Sequence, residues 1–163
     1  MPDTQTVTTD NEAGVMHIER IFNAPRDLVF KAYTEPERIA QWWGPREWKT
    51  RNVTMDVRPG GVWHYVMVGP DGTEAWGKAT YSEVTPPSRL VYMDAFSDAE
   101  GNSNPDLPQT LIEYDFEEVE GGKTRMISKA TFANGEALKA VLDMGMLEGM
   151  TETLDRLDEY LTA

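Results

Sequence analysis

The chain contains no cysteine, which excludes disulfide bridges, thiolate metal sites and thiol nucleophiles together. Histidine is scarce as well: only His17 and His64 are present, and neither stands in a serine or cysteine motif. No apolar run approaches the roughly 20 residues that cross a bilayer, and the opening MPDTQTVTTDNEAG has neither the basic start nor the apolar stretch of a targeting peptide. Positive charge is in short supply, with 15 basic residues against 28 acidic ones and a formal net charge of −13. That field repels phosphate backbones and anionic lipid surfaces, so neither nucleic acid nor membrane is an expected partner. A phosphate-binding glycine loop and a dinucleotide fingerprint are both missing. The acidic stretch Asp94 to Asp106, most of it in the longer polar loop 97–108, SDAEGNSNPDLP, lacks the regular acidic progression of a calcium loop and reads as a flexible lid or plain hairpin loop. We therefore expect no cofactor and no metal, and a cytoplasmic protein.

What is present suits one domain. With 163 residues and 40% hydrophobic content there is enough for one sizeable core and little for a second. The expected division is a loose tail over 1–13 and a single domain over 14–163. Residues 14–22 read as a strand, Asn23-Ala24-Pro25 as a helix start, and Thr34 with Glu37 as a capping box for a second short helix reaching about Trp43. Strands are expected near 50–58, 61–69, 73–84, 88–96, 109–119 and 123–133, separated mostly by proline- and glycine-bearing turns such as Arg58-Pro59-Gly60-Gly61. Ile112, Tyr114 and Phe116 alternate with acidic residues, the pattern of a sheet with one buried face. One long helix, started by Asn134, is expected over about 135–161, with a stripe from Leu138 through Val141, Leu142, Met146, Met150, Leu154 and Leu157 to Leu161. A curved antiparallel sheet is the surface available to it.

These pieces, in this order, resemble a known family. Phe22-Asn23-Ala24-Pro25 with Val29-Phe30-Lys31-Ala32-Tyr33-Thr34, then Glu35-Pro36-Glu37 leading to Trp42-Trp43-Gly44-Pro45, then Asp56-Val57-Arg58-Pro59-Gly60-Gly61 are the first matches. Pro86-Pro87-Ser88-Arg89-Leu90-Val91, Gly122-Lys123-Thr124 and Gly145-Met146-Leu147-Glu148-Gly149-Met150 complete them. The chain resembles the activator of heat-shock protein 90 ATPase homologue family, within the START-like ligand-binding superfamily. Many members carry tryptophan where Met150 stands. The resemblance implies an α+β helix-grip fold: a seven-stranded antiparallel sheet wrapped around a long C-terminal helix, with a cavity between them for an apolar small molecule.

Three of the five tryptophans fall within residues 42–48, and the expectation is that they wall such a cavity. The expected lining is Trp42, Trp43, Trp63, Tyr65, Trp76, Tyr114, Met146 and Met150. A one-residue slip in strand 61–69 would exchange Trp63 and Tyr65 for His64 on the inner face, and the sequence leaves that open. His64 is thus a weak candidate for proton transfer. Asp56 and Arg58 read as an ion pair pinning a hairpin. Gly145 and Gly149 need either close approach to the sheet or room for a ligand. The favoured function is non-enzymatic binding of a hydrophobic or aromatic small molecule. The alternatives are a polyketide cyclase or aromatase-like enzyme and a co-chaperone that stimulates a heat-shock ATPase. A homodimer through an exposed strand edge also stays open.

Overall fold

The computed structural model describes residues 5–107 and 109–163. Met1–Thr4 of the expected tail and Pro108 of the expected loop lie outside the described residues. The elements run β1 (Gln5–Asp10), β2 (Val15–Phe22), α1 (Arg26–Thr34), α2 (Pro36–Ile39), β3 (Lys49–Met55), β4 (Val62–Val68), β5 (Glu74–Thr85), β6 (Arg89–Phe96), β7 (Thr110–Val119), β8 (Lys123–Thr131), α3 (Gly135–Asp143) and α4 (Met146–Thr162). All strands pair antiparallel in one sheet of order β1-β2-β8-β7-β6-β5-β4-β3. Its inner face is lined by alternate residues, among them Met16, Ile18, Trp63, Tyr81, Tyr92, Tyr114, Phe116 and Met126, all nearly inaccessible to solvent. α1, α3 and α4 cover that face, which is the helix-grip architecture.

The sheet has eight strands among the described residues, one more than expected, because part of the anticipated tail is β1. A stretch with one strong hydrophobe, Val7, reads as solvated. Yet Val7 pairs across from Ile18 and packs on the core, and threonine is well suited to a pleated surface. The Asp10 carboxylate accepts the N–H groups of Glu12 and Ala13 and folds the chain back. This hairpin sits hard against the start of α3. A Cβ at Gly14, whose φ is +75°, would overlap the Asn134 carbonyl, and one at Gly135 would overlap that of Asn11.

Two expected helices are shorter than anticipated. Thr34 does not cap α2: its hydroxyl donates to Phe30 O at 2.9 Å inside α1, and Glu35 is the extended residue before Pro36. α2 ends at Ile39, so Trp42 and Trp43 stand beyond it in turns. The long C-terminal helix is two helices. Gly145 takes φ +87°, a left-handed conformation no interior helical residue holds, and the chain turns there with Met144 83% exposed. Asn134 does cap α3, accepting the Ala137 N–H at 2.8 Å.

α4 is fastened by two adjacent side chains. Asp155 receives Arg20, which rises from the inner face of β2 at 2.7 Å and is 5% exposed. Gln5 of β1 accepts a second Arg20 N–H at 2.7 Å and itself donates to Thr151 of α4. Arg156 reaches the other way, donating to the carbonyls of Gly44 (2.8 Å), Pro45 (3.2 Å) and Trp48 (3.2 Å) in the tryptophan loop. The sequence pattern places Asp155 and Arg156 on a water-facing side, because a helical wheel does not show what lies beside it.

The two C-terminal glycines play roles other than those anticipated. Gly145 makes the turn, and Gly149 faces Pro45, where an added Cβ would sit at an ordinary 3.5 Å. Gly149→Ala should therefore raise stability by about 0.5–1 kcal/mol through helix propensity, whereas Gly145→Ala should lower it by about 1 kcal/mol. Paired thermal melts check this: equal shifts of the same sign would refute the assignment.

Candidate functional site

The inner face of β4 settles the choice the sequence left open. Trp63 and Tyr65 point inward, their rings stacked at 4.2 Å between centroids, and His64 points out. Tyr65 lies flat over Gly77 of β5, where any side chain would displace its ring. Six aromatic rings then follow one another in a closed circuit. Tyr33 meets Trp42 at 4.8 Å, Trp42 meets Trp43 at 5.5 Å, and Trp43 meets Trp63 at 5.1 Å. Trp63 meets Tyr92 at 6.2 Å, Tyr92 meets Tyr114 at 5.9 Å, and Tyr114 returns to Tyr33 at 4.8 Å. These separations suit edge-to-face and offset packing, which adds to the burial itself.

Beside this circuit lies a cavity of about 30 Å³ between β2, β7 and β8 on one side and α4 with the tryptophan turns on the other. Tyr33, Trp42, Trp43, Tyr114, Met150 and Leu154 line it together with Met16, Ile18, Ile112, Met126, Ser128 and Ala130. Of the eight residues expected there, Trp42, Trp43, Tyr114 and Met150 line it. Trp63 and Tyr65 stand behind Trp43 on the same face, and Met146 packs half-buried against the core. Trp76 is the correction. It sits on the outer face of β5, its ring 5.2 Å from His64 and beneath the Arg51 guanidinium at 5.7 Å.

His64 is 6% exposed but far from the cavity, because the loop after β6 closes over the outer face. Its Nε2–H donates to Asp98 O at 2.9 Å. That loop is held by a Ser97–Ser103 bridge and by the Asp98 carboxylate, which accepts N–H groups of Glu100 and Asn102. Those bonds, that of Asn102 foremost, hold the Asp98 carboxyl below its ordinary value. The loop covers His64 rather than the cavity. The Asp56–Arg58 pair is present at 2.8 Å and exposed beside its turn.

The polar chemistry of the inner face joins the expected Tyr65 and Tyr114 to residues that sequence reasoning passed over, Asp94, Tyr92 and Tyr33. Asp94, next to last on the inner side of β6, accepts the Tyr65 hydroxyl at 3.3 Å. Desolvation there pushes its carboxyl up to about 7, against the bonds from Tyr65 and the Ala95 N–H. Tyr92 and Tyr114 share a hydrogen bond at 3.2 Å. Burial, and the neighbouring Tyr114, push the Tyr33 hydroxyl well up; it is buried without a hydrogen-bond partner. The signal was available: Leu90, Tyr92 and Asp94 alternate on one face, so a buried tyrosine at 92 carries Asp94 to the same side. Among the described residues no three acidic or histidine side chains gather in a way that would hold a metal ion.

An antiparallel sheet curved about C-terminal helices, with an apolar cavity between, defines the helix-grip class of ligand-binding folds. The model of the family described as activator of Hsp90 ATPase homolog 1-like protein matches residues 23–162, and the chain belongs to that family. The crystal structure of protein Ms6760 from Mycobacterium smegmatis is 36% identical, covers 98% of each chain and superposes with a TM-score of 0.88. A solution structure of an Arthrobacter aurescens protein is 32% identical over 96% of this chain and 91% of its own, with a TM-score of 0.89. CalU16 from Micromonospora echinospora, at 20% identity and a TM-score of 0.59 over 96% of this chain and 84% of its own, shares the fold. No curated protein matches the chain. No helix among the described residues is long and apolar enough to cross a membrane.

Asp94 makes stability depend on pH with a definite sign. Between about 3.8 and about 7 the folded state keeps a proton that the unfolded chain has lost. The unfolded state thus binds fewer protons, and stability falls as pH rises through that window. The melting temperature of Asp94→Asn minus that of the parent should climb from pH 4 to pH 7 and level off above. Parallel curves would show that Asp94 is not desolvated.

Proposed function

We propose that the protein binds a hydrophobic small molecule between its sheet and its C-terminal helices. The observation that carries this is the apolar cavity beside the aromatic circuit. A shape of about 30 Å³ holds a group the size of one water, whereas sites for drug-sized ligands span roughly 300–1,000 Å³. Binding therefore requires the cover to move. The left-handed joint at Gly145 and the half-burial of Val141, Leu142, Met146, Leu147 and Met150 support a cover that opens at α3 and the first turns of α4. Methionine suits a surface that must repack around varied shapes.

A second reading, an enzyme acting on the bound molecule, is favoured by one observation: a carboxyl of near-neutral pKa, Asp94, hydrogen-bonded to Tyr65 on the same face. Turnover lost in Asp94→Asn with binding retained would support it. The family description names an ATPase activator, and a role on a chaperone rests on that wording alone.

The test is native mass spectrometry of the purified protein, followed by thermal-shift screening against fatty acids, aromatic polyketides and flavonoids. A ligand at 100 times its Kd adds about 2.7 kcal/mol, which is roughly 5–10 °C for a chain of this size. Trp43→Ala should lose that shift while still melting cooperatively. No adduct and no shift across the panel would sink the proposal and turn attention to a protein partner.

A further inference from the structure

The walls of the cavity carry no charged side chain, so an ionised ligand group placed there would be buried without a counter-ion. The occupant must be neutral at its buried end. Four tyrosine and tryptophan side chains line this wall: Tyr33, Trp42, Trp43 and Tyr114. Trp42 Nε1 is spent on the Ala32 carbonyl at 3.1 Å, and the Tyr114 hydroxyl is engaged with Tyr92 at 3.2 Å. Of the four, Tyr33 Oη alone is fully buried with no partner among the described residues; the residue is 2% exposed. A buried unpaired donor costs roughly 1–3 kcal/mol, so it is a group a ligand would satisfy with profit to both. Ser128, on the inner face of β8 opposite Tyr114, brings a further hydroxyl to the same wall. The volume at hand, about 30 Å³, is that of a single oxygen-bearing group and not of a ring.

We propose that the molecule bound in the cavity is a neutral apolar carbonyl compound, a ketone or ester, whose one carbonyl oxygen accepts the hydrogen bond of Tyr33 Oη beside Ser128. This rests on the ligand-binding reading above and adds the chemistry of the ligand. The Tyr33 hydroxyl is closed off from the space already formed, so the carbonyl end reaches it only as the cover moves, while the apolar body lies toward Trp43 and Met150. The high proton affinity of the Tyr33 hydroxyl keeps it a donor at any physiological pH. Removing Oη alone leaves the packing of the ring against Trp42, Tyr114 and Phe116 in place.

Two probes of matched shape, α-tetralone and tetralin, differ chiefly by the carbonyl and separate the two ideas. Titrated against the full chain and followed by tryptophan fluorescence, α-tetralone should bind about tenfold more tightly than tetralin. Tyr33→Phe should remove that preference and leave tetralin affinity unchanged; Ser128→Ala should reduce it. The infrared carbonyl stretch of bound α-tetralone should lie at lower frequency in the parent than in Tyr33→Phe, a signature a purely structural tyrosine would not produce. Equal affinity of the parent for both probes, or a preference that survives in Tyr33→Phe, overturns the carbonyl proposal while the apolar cavity stands. Failure of both probes to bind also overturns the carbonyl proposal, and the ligand-binding reading falls with it only where the wider panel is silent too.

Discussion

Everything at the candidate site depends on where α4 rests, and two neighbouring residues set that. Asp155 is drawn to Arg20, a guanidinium buried in the sheet, and Arg156 is drawn to the carbonyl row of the tryptophan loop. Because Asp155 retains 43% of its side-chain exposure while Arg20 keeps 6%, the pair is buried on the sheet side only. Removing the carboxylate strands a cation in the core, which is the expensive half of such a pair. Arg156 contributes differently: it satisfies carbonyls that no helix or strand uses, and desolvation there, with Arg46 nearby, lowers its proton affinity. One residue thus seats the helix on β2 and the next brings Trp42 and Trp43 against it. The cavity is what remains between those two attachments.

This arrangement also explains the asymmetry of the C-terminal segment. Leu154 and Leu157, within a turn of the two attachments, are almost wholly buried. Toward the start of α4 the same apolar stripe is only half-buried, and Met144, just before the joint, faces solvent. A helix tethered near its middle and joined to α3 through a left-handed glycine has one end fixed and one end lightly held. Local opening free energies follow the burial and bonding of each segment rather than the stability of the whole. From that lightly held end, Met150 is the residue that lines the cavity.

The sequence made the fold legible and the site only partly so, for distinct physical reasons. Seven strands, their turns and the C-terminal apolar stripe are written in local alternation and in proline and glycine, both of which act over a few residues. β1 escaped because its place depends on partners far away, Ile18 and Thr151, and one valine is too little local signal. The break at Gly145 escaped because a 3.6-residue stripe continues through it on both sides. Trp76 is expected inside yet covers His64 from without; the sequence leaves strand facing open by one residue, and the register between strands is a property of the assembled sheet. Asp94 escaped because a lone carboxylate in an acidic protein looks like one more solvated charge.

The inner face carries four tyrosines, Tyr65, Tyr81, Tyr92 and Tyr114, where phenylalanine would fill the same space, and Tyr33 adds a fifth from α1. A buried hydroxyl costs free energy unless it is bonded, so a core built for stability alone would discard it. Here Tyr65 is tied to Asp94 and Tyr92 to Tyr114, while Tyr33 is left unpaired. Phe30 and Phe116, packed edge to face at 5.8 Å, show that the same core uses the apolar ring where no polar group is needed. Three of the five hydroxyls, those of Tyr65, Tyr92 and Tyr114, are thus bonded where they are buried. They set fixed hydrogen-bonding groups, at Tyr65 with Asp94 and at Tyr92 with Tyr114, into an otherwise apolar concavity.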